Sequence, residues 1–235
     1  MRHGIFVGLL ILFLSLLLFS CSDEARDDSD YVFGKTGPAG GYIFYDCDAD
    51  NDSGNADGLI SSECGWRYLE AAPANLKVIG GTPSIDMTQE GYPEAPEVFI
   101  FGYYRPEAGS THLVGTAPEI GKGSANTTAL YDAMGDAAYY AVDGFGTTQN
   151  YAAKLCKTLS YKGFNDWFLP SKEELDLMYE KKDAIGGFEA YSYWSSSEDG
   201  SYPADRAFER DFESGEPYGN VKSGPFCIRP IRAFK

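Results

Sequence analysis

Apolar residues are concentrated at the N-terminus of the chain and then give way to an acidic stretch. An almost unbroken apolar run extends from Ile5 to Phe19, after an arginine at position 2, and residues 22–31 are acidic, small and nearly free of apolar side chains. The run is shorter than the roughly 20 residues of a membrane-spanning helix. A basic residue, a short apolar run and a small residue are the order of a secretory signal. The pattern predicts a signal peptide over residues 1–20 and export of the remainder.

Short apolar and aromatic segments occupy the rest of the chain, separated by glycine, proline and polar residues. Segments with the length and composition of strands are Tyr42–Tyr45, Trp66–Ala72, Tyr193–Glu198, Arg206–Phe212 and Phe226–Phe234. Residues 75–125 are rich in glycine, proline, threonine and aromatics without sustained periodicity, which predicts long surface loops. A weaker helical pattern covers residues 127–134.

Two further segments have clear helical spacing. In residues 150–160 apolar side chains recur on one face, which points Cys156 inward. The second helix begins where Ser171 and Glu174 have the spacing of a capping box, and it extends to about residue 182. Short strands beside two helices predict an α+β domain.

The end of the apolar run contains a candidate lipidation site. Leu18-Phe19-Ser20-Cys21 resembles a bacterial lipobox, in which the cysteine is acylated and becomes the first residue of the mature protein. An uncleaved anchor helix, or a signal whose cysteine is incidental, is the alternative. The predicted organisation is a lipid anchor at Cys21, an acidic tether over residues 21–33 that is too polar to repay its ordering entropy, and one globular domain over residues 34–235.

The net charge of the chain restricts the kinds of binding partner that we expect. The chain has 35 acidic and 19 basic residues and a formal net charge of −16, which becomes −17 when residues 1–20 are removed with their one arginine. An anionic surface repels phosphate polymers, which excludes nucleic acid, and suits a cation, a basic protein surface or a neutral ligand. Ser22 is not the aspartate that retains many lipoproteins at the inner membrane, which favours the outer membrane or cell surface.

The cysteine count agrees with export. Lipidation leaves Cys47, Cys64, Cys156 and Cys227, an even number in an oxidising compartment, which predicts disulfides. Three pairings are possible, and the favoured one joins Cys47 to Cys64 across a local loop and Cys156 to Cys227 between a helix and the last strand. A zinc site is the alternative, but the sequence has no CxxC motif and, after the predicted signal, only one histidine, His112.

The densest group of candidate metal ligands is a run of aspartates. Positions 1, 3, 5, 7 and 12 of a twelve-residue calcium-loop template are occupied by Asp46, Asp48, Asp50, Asp52 and Asp57. Alternating acids turn successive oxygens toward one hard cation. Position 6 is Asn51 where the template has glycine, and the aspartate at position 12 replaces a bidentate glutamate. The run predicts a weak calcium site, with a solvated acidic hairpin as the alternative.

Ordered blocks of sequence carry a family resemblance. They are GPAGGYIFYD (37–46), GWRYLEAAP (65–73), Asn126-Thr127, the helix with Cys156, DWFLPSKEEL (166–175), YWSSSE (193–198) and IRPIRAF (228–234). Together they resemble the Lcl C-terminal domain family over most of residues 34–235. The resemblance implies an exported domain of unknown function, with a fold similar to that of C-type lectins and of the formylglycine-generating enzyme. It implies a ligand surface in long loops and no particular reaction.

Residues in these blocks and loops are candidates for binding a ligand. They are Tyr103, Tyr104, Trp194, Glu198 and Arg229. Each also has a structural interpretation: the rings as core, and the arginines at 229 and 232 as partners of buried acids such as Glu70 or Glu198.

The main functional prediction is a non-catalytic module at the cell envelope that binds a glycan or a protein. The sequence contains no GxSxG, HExxH, phosphate-loop or Cys-His pattern. One alternative is an enzyme related to the formylglycine-generating fold, whose reactive thiols would here be consumed in disulfides. The other is a structural envelope protein without a small ligand.

Overall fold

The computed structural model describes residues 31–48, 65–85, 97–103, 112–142 and 146–235. Residues Tyr31–Lys235 form one compact unit. The predicted signal peptide, the lipidation site at Cys21 and most of the tether lie outside the described residues, as do Cys64, Asp50, Asp52, Asp57 and Tyr104. Within the described ranges, no helix combines the length and apolarity that crossing a membrane would require.

Short strands and four helices make up the described part of the chain. The strands are β1 (Tyr42–Asp46), β2 (Tyr68–Ala71), β3 (Leu76–Ile79), β4 (Thr82–Ile85), β5 (Tyr139–Tyr140), β6 (Thr147–Thr148), β7 (Ser192–Glu198), β8 (Arg206–Asp211), β9 (Pro217–Val221) and β10 (Ile231–Phe234). The helices are α1 (Gly123–Met134), α2 (Ala152–Lys157), α3 (Lys172–Glu180) and α4 (Lys182–Ile185). All ladders between these strands are antiparallel, so the predicted α+β class is confirmed.

Two three-stranded sheets form the framework. One has the order β1-β2-β10, so that the first and last strands flank β2, and the other has the order β7-β8-β9. Strands β3 and β4 form one two-stranded sheet, and β5 and β6 another. Backbone bridges join Phe168 to Ile231 and Tyr193 to Cys227, so the segment that leads into β10 connects both three-stranded sheets.

The compact unit begins at Tyr31, three residues before the predicted domain boundary at Gly34. The Tyr31 carbonyl accepts a hydrogen bond of 2.8 Å from the Tyr68 hydroxyl, and its ring packs edge-on against Phe234 at 5.3 Å. Phe33 lies under the Lys181 amine. The sequence prediction placed these aromatic residues in the tether because acidic residues surround them, but their apolar surface favours burial.

The predicted long loop over residues 75–125 contains a hairpin, so this prediction is partly wrong. Strands β3 and β4 are joined by Gly80 and Gly81, whose φ angles are 58° and 83°. Two successive left-handed residues are the requirement of a type I′ turn, and a Gly-Gly pair between apolar segments predicts one. The signal was therefore present in the sequence.

The core consists of two clusters of buried side chains. The first packs α1 and α2 around Trp167, Trp194 and Tyr151, and the second packs α3 against Phe44 and Tyr193. Helix α3 starts at the predicted capping box, in which the Ser171 hydroxyl accepts from the Glu174 amide and the Glu174 carboxylate accepts from the Ser171 amide. The predicted inward orientation of Cys156 on α2 is also confirmed.

Candidate functional site

A cleft of about 350 Å³ opens beside the first cluster. We call it the Ser223 cleft. Its lining residues are Val98, Phe99, Ile100, Ala141, Val142, Thr147, Thr148, Asn150, Ser223 and Pro225. They come from three walls: residues 98–100, residues 141–142 together with residues 147–150 around β6, and residues 223–225. This volume lies at the lower end of ligand clefts, which run from about 300 to 1,000 Å³.

Backbone hydrogen bonds hold the three walls together. Phe99 and Phe226 exchange bonds of 2.8 and 3.0 Å, which join the first wall to the third. The Ile100 carbonyl accepts from the Ala152 amide at 2.9 Å. The Ser223 carbonyl accepts from the Val142 amide at 3.2 Å, which closes the second wall against the third. Because these contacts are made by the main chain, the relative positions of the three walls do not depend on the lining side chains.

The described lining of the Ser223 cleft combines apolar and neutral polar side chains. Apolar side chains lie beside the hydroxyls and amide of Thr147, Thr148, Asn150 and Ser223, and none of the lining residues that the structure describes is ionisable. The Thr148 hydroxyl accepts from the Asn150 amide at 3.0 Å. Ser223 is 1 % exposed, and its Oγ has no hydrogen-bond partner among the described residues. Buried hydroxyls are normally paired, so this oxygen is an exception within the described part of the chain.

Glu198, a predicted ligand residue, does not face a ligand. Its carboxylate accepts from the amides of Val114, Gly115 and Thr116 at distances between 2.7 and 3.3 Å, and from the Lys222 amine at 2.6 Å. Both side chains of the ion pair are almost fully buried. The prediction for Glu198 is wrong, because its buried carboxylate is bonded to the Lys222 amine and to the amides of residues 114–116.

Two other buried glutamates act in the same way. Glu70 accepts from the amides of Ala39 and Gly41 at 3.0 and 2.8 Å. Glu174 accepts from the Gly121 amide at 2.8 Å, in addition to its role in the capping box. We call Glu70, Glu174 and Glu198 the carboxylate anchors, because each fixes a loop through the loop's own N–H groups.

Trp194 and Arg229 are also interior residues, so their assignment to a ligand surface is wrong. Trp194 is 0 % exposed, donates its indole N–H to the Phe99 carbonyl at 2.9 Å and packs against Phe101 and Phe226. Arg229 is 0 % exposed, donates to the Gly186 carbonyl and pairs with no acid among the described residues. Burial lowers the pKa of Arg229 to about 10. The sequence of a short strand does not indicate whether an aromatic or cationic side chain lies in the core or on the surface.

The neighbouring arginine does pair with a buried acid as predicted. Arg232 lies 3.3 Å from Glu70 and makes two bonds of 2.8 and 2.9 Å with Asp166. Tyr103 is half-buried, with its ring edge-on to His112 at 4.8 Å. Tyr103 lies next to the Lys222 amine and outside the lining of the Ser223 cleft.

The predicted bridge between Cys156 and Cys227 is not formed. Both are buried thiols, and they lie in different clusters, Cys156 in the first and Cys227 in the second. Burial raises the pKa of Cys227 to about 12 and raises that of Cys156 as well. Neither thiol is an accessible nucleophile in the folded chain. The proposed partner of Cys47 is Cys64, which lies outside the described residues.

Two of the five predicted calcium ligands are described, and both lie beside an arginine. The Asp46 carboxylate accepts from Arg67 at 3.1 and 3.2 Å and from the Asp48 amide at 3.0 Å. Asp48 is 3.8 Å from the same guanidinium. In the described part of the chain, no group of three or more potential metal ligands comes together. A cation at Asp46 would compete with Arg67, and the calcium site stays a prediction.

The buried acids give the fold an expected pH dependence. Burial raises the pKa of Glu174 and of Glu209 to about 7, whereas an unfolded glutamate titrates near 4.3. Between these values the native state binds protons that the unfolded chain releases, so we expect stability to fall as the pH rises from about 4.5 through 7. Each group contributes on the order of 3 kcal/mol. Urea unfolding between pH 5 and 8 measures the slope.

Two matched variants test whether Glu174 causes this pH dependence of stability. Glu174→Gln should flatten the pH dependence, and Glu180→Gln, which changes an exposed glutamate at the end of α3, should leave it unchanged. Equal stability of the unmodified chain at pH 5 and pH 8 would contradict the raised pKa values.

The Ser223 cleft itself was missed by the sequence prediction. Its walls are separated by up to about a hundred residues, and its polar members are threonine, asparagine and serine, which are common in any loop. Lys222, the buried partner of Glu198, stands in a polar segment between β9 and the last block. The one signal pointing to this region was the concentration of aromatics around Phe99 and Tyr139.

Comparison with known proteins identifies one family. A search of curated proteins finds no match to the chain. Residues 124–232 match the model of the Lcl C-terminal domain. This segment contains nearly all of α1, the sheet β7-β8-β9 and two of the three walls of the Ser223 cleft, whereas the blocks at 37–46 and 65–73 precede it. The resemblance predicted from the sequence blocks is confirmed over residues 124–232, which are similar to the Lcl C-terminal domain family.

Proposed function

We propose that the chain is an exported bacterial lipoprotein, anchored through Cys21, whose domain binds a glycan or protein ligand at the cell envelope without catalysing a reaction. The observation that carries the binding role is the Ser223 cleft, which combines a ligand-sized volume with a described lining of apolar and neutral polar side chains. The signal-like N-terminus and acidic tether support export and anchoring.

The arrangement of the domain supports the same role. We propose a C-type-lectin-like fold, since the first and last of the described strands share a sheet and the irregular stretch 112–122 lies outside the two three-stranded sheets. Loops held on a rigid framework are the usual location of binding residues. The carboxylate anchors provide that rigidity, because each ties loop amides to a buried side chain.

Two features favour binding over catalysis. None of the described residues that line the Ser223 cleft carries an ionisable group that would serve as acid, base or nucleophile of ordinary reactivity. Cys156 and Cys227 are buried and have raised pKa values, which argues against thiol chemistry of the formylglycine-generating type.

One experiment on cells tests the anchor and the binding site together. The full chain should fractionate with membranes, and Cys21→Ser should release it in soluble form. The released protein is then applied to an array of glycans and envelope proteins. We expect Thr147→Trp, at an exposed lining position, to abolish the strongest signals, and Ser201→Trp, at an exposed position away from the cleft, to retain them. Signals that survive Thr147→Trp would contradict the assignment of the cleft.

A further inference from the structure

A short surface segment covers a buried cation. Residues 186–190, which we call the strap, connect α4 to the segment before β7, and three of the five are exposed. Beneath the strap lies Arg229, which is 0 % exposed. We propose that the strap opens and that Arg229 then binds the carboxylate of a ligand that also carries an apolar ring. None of these residues lines the Ser223 cleft, so this inference does not rest on the proposed function.

The unpaired charge of Arg229 is the first argument. Within the described part of the chain its guanidinium bonds only to the Gly186 carbonyl, and its Nε and Nη1 have no hydrogen-bond partner. Arg232 is similarly buried, but it contacts the carboxylates of Glu70 and Asp166. A buried cation without an acid costs free energy, and a carboxylate recovers it best because it accepts two parallel N–H bonds.

The attachment of the strap is the second argument. Among the residues that the structure describes, the main chain of 187–190 makes no hydrogen bond with the main chain of any helix or strand. The Glu189 amide donates instead to the Tyr193 hydroxyl at 2.7 Å. The strap begins with Gly186 and Gly187, whose φ angles are 73° and 67°. Two left-handed glycines permit the backbone rotation of a hinge, so the strap can open locally without unpairing a strand.

The Phe188 ring is the third argument, because it shows what a ligand would replace. Its centroid lies 4.4 Å from the Arg229 guanidinium, 5.3 Å from the Tyr193 ring and 4.4 Å from the Phe212 ring. Opening of the strap withdraws this ring and also frees the guanidinium from the Gly186 carbonyl. A ligand with a ring and a carboxylate replaces both groups. The ring is required, since the net charge of −16 disfavours a bare anion.

Calorimetric titration of the Cys21→Ser full chain tests the inference. The probes are phenylacetate, its neutral amide and acetate. We expect phenylacetate to bind about tenfold more tightly than either of the others, because each of them lacks one of the two groups. Arg229→Met should abolish this preference and leave the melting temperature unchanged or raised, since it removes an unpaired buried charge. Equal binding of phenylacetate and its amide, or phenylacetate binding unchanged in Arg229→Met, overturns the inference.

A short peptide with a C-terminal phenylalanine carries the same carboxylate and ring as phenylacetate. Tighter binding of phenylacetate assigns the site to a small acid, and tighter binding of the peptide assigns it to a protein terminus. In either case the binding should be lost in Arg229→Met.

Two phenylalanine variants test whether the strap must open. Phe188→Ala removes contacts that only the closed strap makes, so the open population should rise and phenylacetate should bind about fivefold more tightly. Phe164→Ala is the control, because Phe164 is also half-buried and its ring lies 4.0 Å from the guanidinium of the acid-paired Arg232. It should leave phenylacetate binding unchanged. Weaker or equal binding in Phe188→Ala would show that the ring is not a closed cover.

The variant of the Ser223 cleft separates this inference from the proposed function. Thr147→Trp should leave phenylacetate binding unchanged even where it abolishes the array signals. Loss of phenylacetate binding in Thr147→Trp would place the probe in the Ser223 cleft and overturn the site at Arg229.

Hydrogen exchange of the Glu189 amide reports opening independently of affinity. Because phenylacetate holds the strap open, a saturating concentration should speed this exchange, whereas a probe that bound the closed strap would slow it. The Phe226 amide, which donates to the Phe99 carbonyl at 3.0 Å, should exchange at an unchanged rate. Slower exchange at Glu189 with phenylacetate bound overturns the proposed opening.

Discussion

Lys222→Met is expected to lower the free energy of unfolding by about 3–5 kcal/mol, the cost of removing one member of a buried ion pair. The Lys222 amine lies 2.6 Å from the Glu198 carboxylate and 2.7 Å from the His112 carbonyl, and its side chain is 0 % exposed. Burial lowers the pKa of Lys222, and Glu198 opposes this shift. Loss of the amine leaves a buried carboxylate whose charge is compensated by amides alone. Denaturant unfolding measures the effect.

The exposed pair of Lys154 and Asp136 supplies the control. Its N···O distance is 2.8 Å, but the Asp136 side chain is 83 % exposed, so Lys154→Met should cost less than about 1 kcal/mol. The double variant Lys222→Met, Glu198→Gln should lose less free energy of unfolding than the sum of the two single variants, because each single substitution leaves the other group buried without its partner. A loss at Lys222 no larger than at Lys154 would contradict the structural role of the buried pair.

Gly41→Ala is expected to destabilise the fold by about 3 kcal/mol or more, at the upper end of overpacking effects. A Cβ at Gly41 would lie 1.8 Å from the Ala71 carbonyl oxygen of β2, so backbone must move. The Gly41 amide also donates to the carboxylate anchor Glu70 at 2.8 Å, and movement of the turn would strain this bond. The midpoint of urea unfolding gives the effect.

Gly200→Ala separates close packing from the general effect of replacing glycine. No atom lies within 4 Å of a Cβ at Gly200, and its φ is outside the left-handed range. We expect this variant to be neutral or slightly stabilising, since alanine reduces the freedom of the unfolded chain. If both variants lost the same stability, the close approach of Gly41 to β2 would not be the cause.

Local features of the fold were predictable from the sequence. The capping box of α3 needs only Ser171 and Glu174 at the correct spacing, and β1 and β2 need only apolar segments beside turns. The arginines at 229 and 232 alternate with isoleucines in the last block, which suggested pairing with buried acids such as Glu70 or Glu198, and Arg232 does contact Glu70. The signals for the capping box and for the strands lie within a few residues.

Other contacts, between residues that lie far apart in the sequence, were not predictable. The even number of cysteines suggested a bridge between Cys156 and Cys227, but that number does not indicate which hydrophobic cluster contains each thiol. The partner of Glu198 is Lys222, and nothing in the spacing of these residues reveals a contact. The Ser223 cleft combines neutral residues from three separate segments, and its recognition required the coordinates.

The carboxylate anchors have a consequence for how this surface can diversify. Glu198 holds Val114, Gly115 and Thr116 through their main-chain N–H groups, and the Thr116 hydroxyl accepts in return from the Glu198 amide at 2.7 Å. A substitution at Val114 keeps the N–H that Glu198 holds, whereas Gly115, with a φ of 84°, favours glycine. Proline alone lacks the donor. The three buried glutamates therefore fix the path of the loops, and the outward side chains of those loops can vary separately.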